Sequence, residues 1–146
     1  MIVTKKFNDL TTNELYSILQ LRSQVFVVEQ NCIYQDIDGN DLNSVHMFIL
    51  EDKQVVSYVR IVSLSNHTSI GRVVTDASHR GKGYSRELMN KAIDYIYELI
   101  NENKIIISAQ KYLEAFYSSL GFTSEGNDYL EDGIPHIRMI HKKKTP

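Results

Sequence analysis

A single cysteine in 146 residues rules out an internal disulfide, and Cys32 standing alone fits a reducing compartment. No apolar run approaches the roughly 20 residues of a membrane span. The opening Met1-Ile2-Val3-Thr4-Lys5-Lys6 lacks the apolar stretch and small-residue cleavage site of a secretion signal. Charge of one sign is missing too: a formal net charge of −2 offers no basic field to draw nucleic acid or an anionic membrane. Neither repeats nor low-complexity stretches interrupt the chain. What is present is ordinary globular composition, 42% hydrophobic and 23% charged, at a length that buries a core without disulfides or metals. The expectation is one cytoplasmic domain over residues 1–146.

Strand and helix patterns alternate along it. Residues 2–7 read as a short strand. Thr11 stands three residues before Glu14, the spacing of a capping box, and Leu15, Ile18, Leu19, Arg22, Val25 and Phe26 follow at helical spacing. That predicts a helix over 12–27. Residues 29–44 are polar and acidic and read as a loop with room for a short helix. His46–Glu51, Val55–Ser63 and Thr68–Thr75 are strand-like, with Asp52-Lys53 and Ser65-Asn66 as turns, which predicts an antiparallel meander. After a polar turn over 76–82, apolar residues at spacings of three and four predict a long helix over 83–101. Ile105–Ala109 reads as a buried strand and 111–120 as a helix ended by a left-handed Gly121. A turn-rich stretch with Gly126, Asp132-Gly133 and Pro135 leads to a last strand at Ile137–Ile140, and Lys142–Lys144 reads as a solvated tail.

The segment with most chemical content runs from Ile70 to Leu88. A strand enters a basic, glycine-containing turn that opens directly onto the long helix. The first N–H groups of a helix have no internal partner, and the macrodipole makes that end electropositive, so anions bind there. Gly81 and Gly83 allow positive φ and close approach of backbone, and Arg80, Lys82 and Arg86 add charge. A phosphate or pyrophosphate site is predicted, although the same glycines would also serve a plain tight turn. Two nucleotide patterns fail on spacing. Arg86 stands where a dinucleotide fingerprint needs its third glycine. A P-loop needs a glycine at 76 and Ser or Thr after Lys82, where Asp76 and Gly83 stand.

Arg80-Gly81-Lys82-Gly83-Tyr84-Ser85 resembles the R/Q-x-x-G-x-G/A acetyl-CoA motif of the GNAT N-acetyltransferase superfamily, with Ser85 where glycine or alanine is usual. Phe116-Tyr117-Ser118-Ser119-Leu120-Gly121-Phe122 is similar to that superfamily's Y-x-x-x-G-F segment. The runs Leu21–Gln30 and Tyr34–Asp41 look like its ElaA-like branch. The resemblance covers nearly the whole chain. It implies a mixed α/β (α+β) fold, a mostly antiparallel twisted sheet of six to seven strands flanked by about four helices.

The same resemblance implies acetyl-CoA as co-substrate and a small-molecule amine as acceptor, an amino acid, polyamine or similar, attacking directly in a ternary complex. Val73, Val74 and Thr75 would pair with the pantetheine arm, and the backbone from Arg80 through Tyr84 to Ser85 would hold the pyrophosphate. The Val74 N–H would polarise the thioester carbonyl. Tyr117 would act as general acid and Gln110 would bond the pantetheine arm. The alternative for Tyr117 is an amphipathic-helix residue with its hydroxyl at the rim.

A general base is left open among His46, His136, Glu29 and Glu51, since an ammonium must lose a proton before it attacks. Arg22 would clamp a carboxylate on an amino-acid acceptor, or it is a helix-surface arginine in an ion pair. Asp36–Asp41 fails the EF-hand spacing: its sixth and twelfth positions are Asp41 and Met47, so an acidic turn and no metal are expected. Cys32 offers a covalent acyl-enzyme only if a base reaches it. The competing function is a non-catalytic acyl-CoA-binding regulatory module. A homodimer through a sheet edge or the last strand is compatible with the pattern and required by none of it.

Overall fold

The computed structural model describes residues 1–144. One seven-stranded sheet runs in the order β1-β2-β3-β4-β5-β7-β6. Its strands are β1 Ile2–Lys6, β2 Val45–Glu51, β3 Gln54–Ser63, β4 Thr68–Thr75, β5 Lys104–Gln110, β6 Thr123–Glu131 and β7 Ile134–Lys142. Three α-helices, α1 Thr12–Arg22, α2 Tyr84–Tyr95 and α3 Glu114–Ser119, join short 3₁₀ turns in covering it. Three among the described residues is one fewer than expected, because the 29–44 segment holds only a 3₁₀ turn at Asn40–Asn43.

The start of α1 forms as the sequence dictates. Thr11 Oγ1 accepts from the Glu14 N–H at 3.0 Å and Glu14 Oε1 accepts from the Thr11 N–H at 2.8 Å, so two orphan donors are satisfied reciprocally. The predicted helix continues past Arg22 as a wider π-helical turn, Ser23–Glu29, closed by a Gln30 N–H to Val25 carbonyl bond of 3.0 Å. α1 packs Ile18 and Leu21 with Val25 on one face of the sheet, against Phe48, Tyr58 and Val74. α2 covers the other face, burying Leu88, Met89, Ala92, Ile93 and the following Ile96 against β2, β3 and β4. Each large apolar side chain so buried is worth about 1.5–3 kcal/mol. No helix among the described residues is long and apolar enough to cross a membrane.

All neighbouring strands are antiparallel except β4 and β5. Those two run parallel and pair at one position only, Thr68 with Ile105, so their C-terminal ends diverge. The β6 strand occupies the turn-rich stretch of the sequence reading. It is almost wholly exposed along its length and its register breaks between Glu125 and Tyr129, around Gly126 at φ 80°. An edge strand with no buried face carries no apolar alternation, which is why pattern alone does not reveal it.

Candidate active site

α2 begins at Gly83, which sits at φ 81° and provides no side-chain cap for the helix's first N–H groups. Gly81 is also left-handed, at φ 82°. A Cβ at either position would meet nothing within 4 Å, so backbone conformation and not space calls for glycine there. The turn is tied down at its sides. Thr75 Oγ1 lies 2.6 Å from Ser85 Oγ and 2.8 Å from Ser57 Oγ, which gives Ser85 a use that glycine or alanine would lack. His79 Nε2 and Tyr84 Oη both reach Glu51, at 2.7 and 3.0 Å. Arg86 donates to Ser119 Oγ at 3.0 Å and lies over the Phe116 ring, joining α2 to α3. The result is a surface hollow lined by Thr75, Arg80, Gly81, Gly83, Ser85 and Arg86 among others. Its uncapped helix end fits a phosphate group. Lys82 is exposed beside it and outside the lining.

A deeper cavity of about 250 Å³ opens where β4 and β5 part. Gly71, Arg72 and Val73 line one wall, Ile107, Ser108 and Gln110 the other, with Tyr117 of α3 between them. Phe116 lines the hollow and Tyr117 the cavity, so consecutive residues of α3 face the two. Tyr117 is 6% exposed, and burial pushes its phenol well above the usual tyrosine range. The hydroxyl therefore keeps its proton at neutral pH. Gln110 Oε1 is 3.5 Å from Gln30 Nε2, and both line the cavity.

The β4 wall is bent. Tyr58 pairs with Val74 and Arg60 with Gly71, so Arg72 and Val73 together oppose Val59. Arg72 stands at φ 50°, a left-handed conformation costing a side-chain-bearing residue roughly 1–2 kcal/mol. The acidic turn holds it. Arg72 Nε donates to Asp36 Oδ1 at 2.8 Å, Nη2 donates to the Asp36 carbonyl at 2.9 Å, and the guanidinium lies over the Tyr34 ring. The same turn takes Arg60, whose Nη2 donates to Asp38 Oδ2 at 2.8 Å and Nη1 to Asp41 Oδ1 at 3.0 Å.

Arg22 completes the cluster and corrects the expectation of a substrate clamp. It is 0% exposed, donating to Asp36 Oδ2 at 2.9 Å and Asp41 Oδ1 at 2.7 Å, and it lies outside the cavity lining. Burial opposes its charge, yet the hydrogen bond to Asp41 and the neighbouring carboxylates hold it above the ordinary arginine range. Asp41 is held below the ordinary carboxylate range: burial would raise it, and Arg22 and Arg60 outweigh that. Three arginines thus face three aspartates, so the acidic turn is an internal strut and leaves no net charge for a ligand.

The proposed bases separate. His46 is 1% exposed, with Nδ1 2.6 Å from Tyr58 Oη and Nε2 2.9 Å from the Asp41 carbonyl. Burial lowers its pKa, both ring nitrogens are taken, and it does not line the cavity, so the expectation of a base there is corrected to a structural role. Glu29 pairs with Arg80 at 2.7 Å beside the hollow, and Glu51 belongs to the His79–Tyr84 group; neither lines the cavity. His136 does line it. Cys32 lies in the cavity wall with Sγ 3.4 Å from the Asp132 carbonyl. Glu131 and Asp132, from the β6–β7 hairpin, line the same end and were visible in the sequence only as part of a turn. No group of three His, Cys, Asp or Glu side chains among the described residues is placed to hold a metal ion.

Comparison with known proteins agrees with this architecture. The acetyltransferase (GNAT) domain family matches residues 8–143. A UPF0039 protein of Schizosaccharomyces pombe is 41% identical over 140 residues, covering 94% of this chain and 93% of that protein. Protein ElaA of Escherichia coli is 40% identical over 92% of each chain. Its crystal structure superposes with a TM-score of 0.92 at 37% identity, over 97% of this chain and 99% of that one. The structure of an acyl-CoA N-acyltransferase from Pseudomonas aeruginosa gives 0.90 at 39% identity, with the same coverage. A sheet forked between β4 and β5, an uncapped helix start beyond the C-terminal end of β4 and these relatives place the chain in the GNAT acetyltransferase family, within its ElaA-like branch.

Proposed function

We propose that the protein is an N-acetyltransferase that moves the acetyl group of acetyl-CoA to a primary amine of a small molecule, by direct attack within a ternary complex. Acyl transfer is the chemistry of the family; acetyl as the group and an amine as acceptor are the further steps. The observation that carries the reading is Tyr117, a buried and protonated phenol in the cavity where β4 and β5 separate.

Acetyl-CoA supplies an acetyl group already activated as a thioester. The backbone from Arg80 to Ser85, at the uncapped start of α2, holds the pyrophosphate, with Lys82, Tyr84 and Arg86 around it. Arg80 now bonds Glu29 and the Thr75 carbonyl, so its guanidinium exchanges Glu29 for phosphate on binding. Val73 to Thr75 lie along the arm that reaches into the fork, and Gln110 bonds it from the β5 side. The carbonyl under attack lies against the bulge at Arg72 and Val73; the Val74 N–H expected to polarise it faces Tyr58 of β3, as the Asp76 N–H to Val56 carbonyl bond two residues on requires. Tyr117 Oη gives its proton to the departing sulfur. His136, which alone of the proposed bases lines the cavity, takes the proton from the incoming ammonium.

The test is Tyr117→Phe. General acid catalysis contributes roughly 10²–10⁴-fold, so acceptor-dependent release of free thiol should fall by about that factor while CoA affinity stays within about twofold. Equal turnover in the variant removes the acid role. Tight acetyl-CoA binding by the wild type with no amine-dependent thiol release would replace the enzyme by a non-catalytic acyl-CoA-binding module.

A further inference from the structure

The β7 side of the cavity holds a pair of atoms whose chemistry selects a partner. His136 is 7% exposed on β7, opposite Gln110 of β5, with its ring stacked on Tyr129. Its Nδ1 lies 2.7 Å from the Ile134 carbonyl. A carbonyl only accepts, so Nδ1 carries a proton, and in the uncharged form of the ring Nε2 is the lone pair. That lone pair faces Glu131 Oε2 at 3.4 Å. The carboxylate is held from behind, where Ser108 Oγ donates to Oε1 at 3.1 Å. In that form two acceptors face each other, and a donor lying against both relieves their repulsion. Asp132 lines the same side, and among the described residues neither carboxylate has a lysine or arginine at ion-pair distance. The arginines of the opposite wall, Arg60 and Arg72, are already matched by the aspartates of the 36–41 turn.

Resting on the acyl-transfer reading, we infer that His136 Nε2 and Glu131 Oε2 form an ammonium site, and that the acceptor is a cationic alkylamine with no carboxylate beside its nitrogen, a diamine or polyamine whose second cation meets Asp132. The ammonium donates to both atoms. One N–H proton passes to His136 Nε2, and the resulting imidazolium is stabilised by Glu131. The nitrogen lone pair forms the new C–N bond. The C–S bond breaks with its electron pair on sulfur, which takes the Tyr117 proton. The second proton lost by the nitrogen restores Tyr117, and the proton on His136 leaves to water. Amide, thiol and one released proton balance the ammonium and the thioester.

The experiment compares 1,4-diaminobutane, butylamine and glycine as acceptors for wild type, Glu131→Gln and Asp132→Asn. It is paired with calorimetric titration of 1,4-diaminobutane into the CoA-bound protein. The expected order of kcat/KM is diamine, then butylamine, then glycine. Glu131→Gln should raise the KM of both alkylamines about tenfold or more, with KM for acetyl-CoA unchanged. Asp132→Asn should raise the KM of the diamine alone. Glycine preferred over the diamine, or alkylamine KM values indifferent to Glu131→Gln, overturns the ammonium site while leaving acyl transfer intact. If no amine is turned over, acyl transfer fails and the titration decides: diamine binding lost in Glu131→Gln sustains the site, and no binding to wild type overturns it.

Discussion

Replacing Arg22 with methionine tests the strut formed by the acidic turn. Methionine keeps an unbranched side chain in a pocket where Arg22 is 0% exposed, so packing is largely retained and the charge is the main loss. The guanidinium donates to Asp36 Oδ2, to both oxygens of Asp41 and to the Asp36 carbonyl, between 2.7 and 3.2 Å. Without it, three arginines against three aspartates become two against three, with the excess negative charge buried. Removing one partner of a buried ion pair costs about 3–5 kcal/mol, more than the intact pair is worth, because the remaining charge stays desolvated. Set against a typical total of about 5–15 kcal/mol, that takes a large part of the stability. At roughly 3–4 °C per kcal/mol for a chain of this size, the melting temperature should fall by about 10–20 °C. Urea unfolding followed by circular dichroism, with an unchanged slope, would read this as a lower midpoint. A loss under about 1 kcal/mol, together with a raised KM for an amino-acid acceptor, would refute the strut and restore Arg22 as a carboxylate clamp.

Acid should destabilise the fold in two stages. Burial lowers the pKa of His46 and His141 from the ordinary 6.5, so below that pH the unfolded chain takes protons the fold refuses, and stability falls. Asp38 and Asp41 are held low by their arginines against the opposing effect of burial. Their contribution is complete above the ordinary carboxylate range, begins to be lost within it, and is gone only once pH has fallen through their lowered folded values. Urea midpoints at pH 8, 6, 5 and 3.5 should decline from about 6.5 downward and steepen near 4; a flat profile would contradict the burial of these groups. Gly83→Ala places a Cβ at φ 81° with no clash, so it should cost about 1–2 kcal/mol and weaken CoA binding about tenfold by calorimetry. Gly121→Ala should be more damaging, since at φ 99° the new Cβ also meets His141 Nε2 at 3.0 Å; a melting temperature within a degree or two of wild type would argue against the close contact.

Most of the fold was legible because most of it is local. The capping box, the α-helix from Thr12 to Arg22 and the strands β2, β3 and β4 each lie within about 15 residues and form where read, although the helical spacing beyond Arg22 becomes a π-helical turn. The failures have physical causes. β6 turns both faces to solvent, so no alternation marks Thr123–Glu131. The predicted helix over 111–120 splits into a 3₁₀ turn, Lys111–Leu113, and the short α3, because Leu113 at φ −100° and ψ 8° is not fully helical. Arg72 looks like any strand residue, yet it is the left-handed position of the β4 bulge. Its conformation is imposed by Asp36, 36 residues earlier, and spacing carries no trace of that bond.

The two ends of the site differ for the same reason. The phosphate end is written in one stretch: a strand, two glycines at positive φ and a helix start that nothing caps, all within Val73 to Arg86. Local backbone conformation makes that chemistry, so the residue types betray it. The acceptor end is assembled across the chain, from Gln30 and Cys32 after the π-helical turn, the bulge of β4, and Glu131, Asp132 and His136 of the last hairpin. Cys32 meets the Asp132 carbonyl across 100 positions, and His136 acquires its orientation from the Ile134 carbonyl and the ring of Tyr129. None of these residues is unusual where it stands in sequence. Only the fork between β4 and β5 turns them toward one space, and a change in the last hairpin leaves the glycine turn before α2 untouched. On this reasoning the family resemblance, carried by the glycine turn, identifies acyl transfer as the chemistry and says little about the proposed acceptor. The pair His136–Glu131 therefore carries information on the acceptor that the motif does not contain.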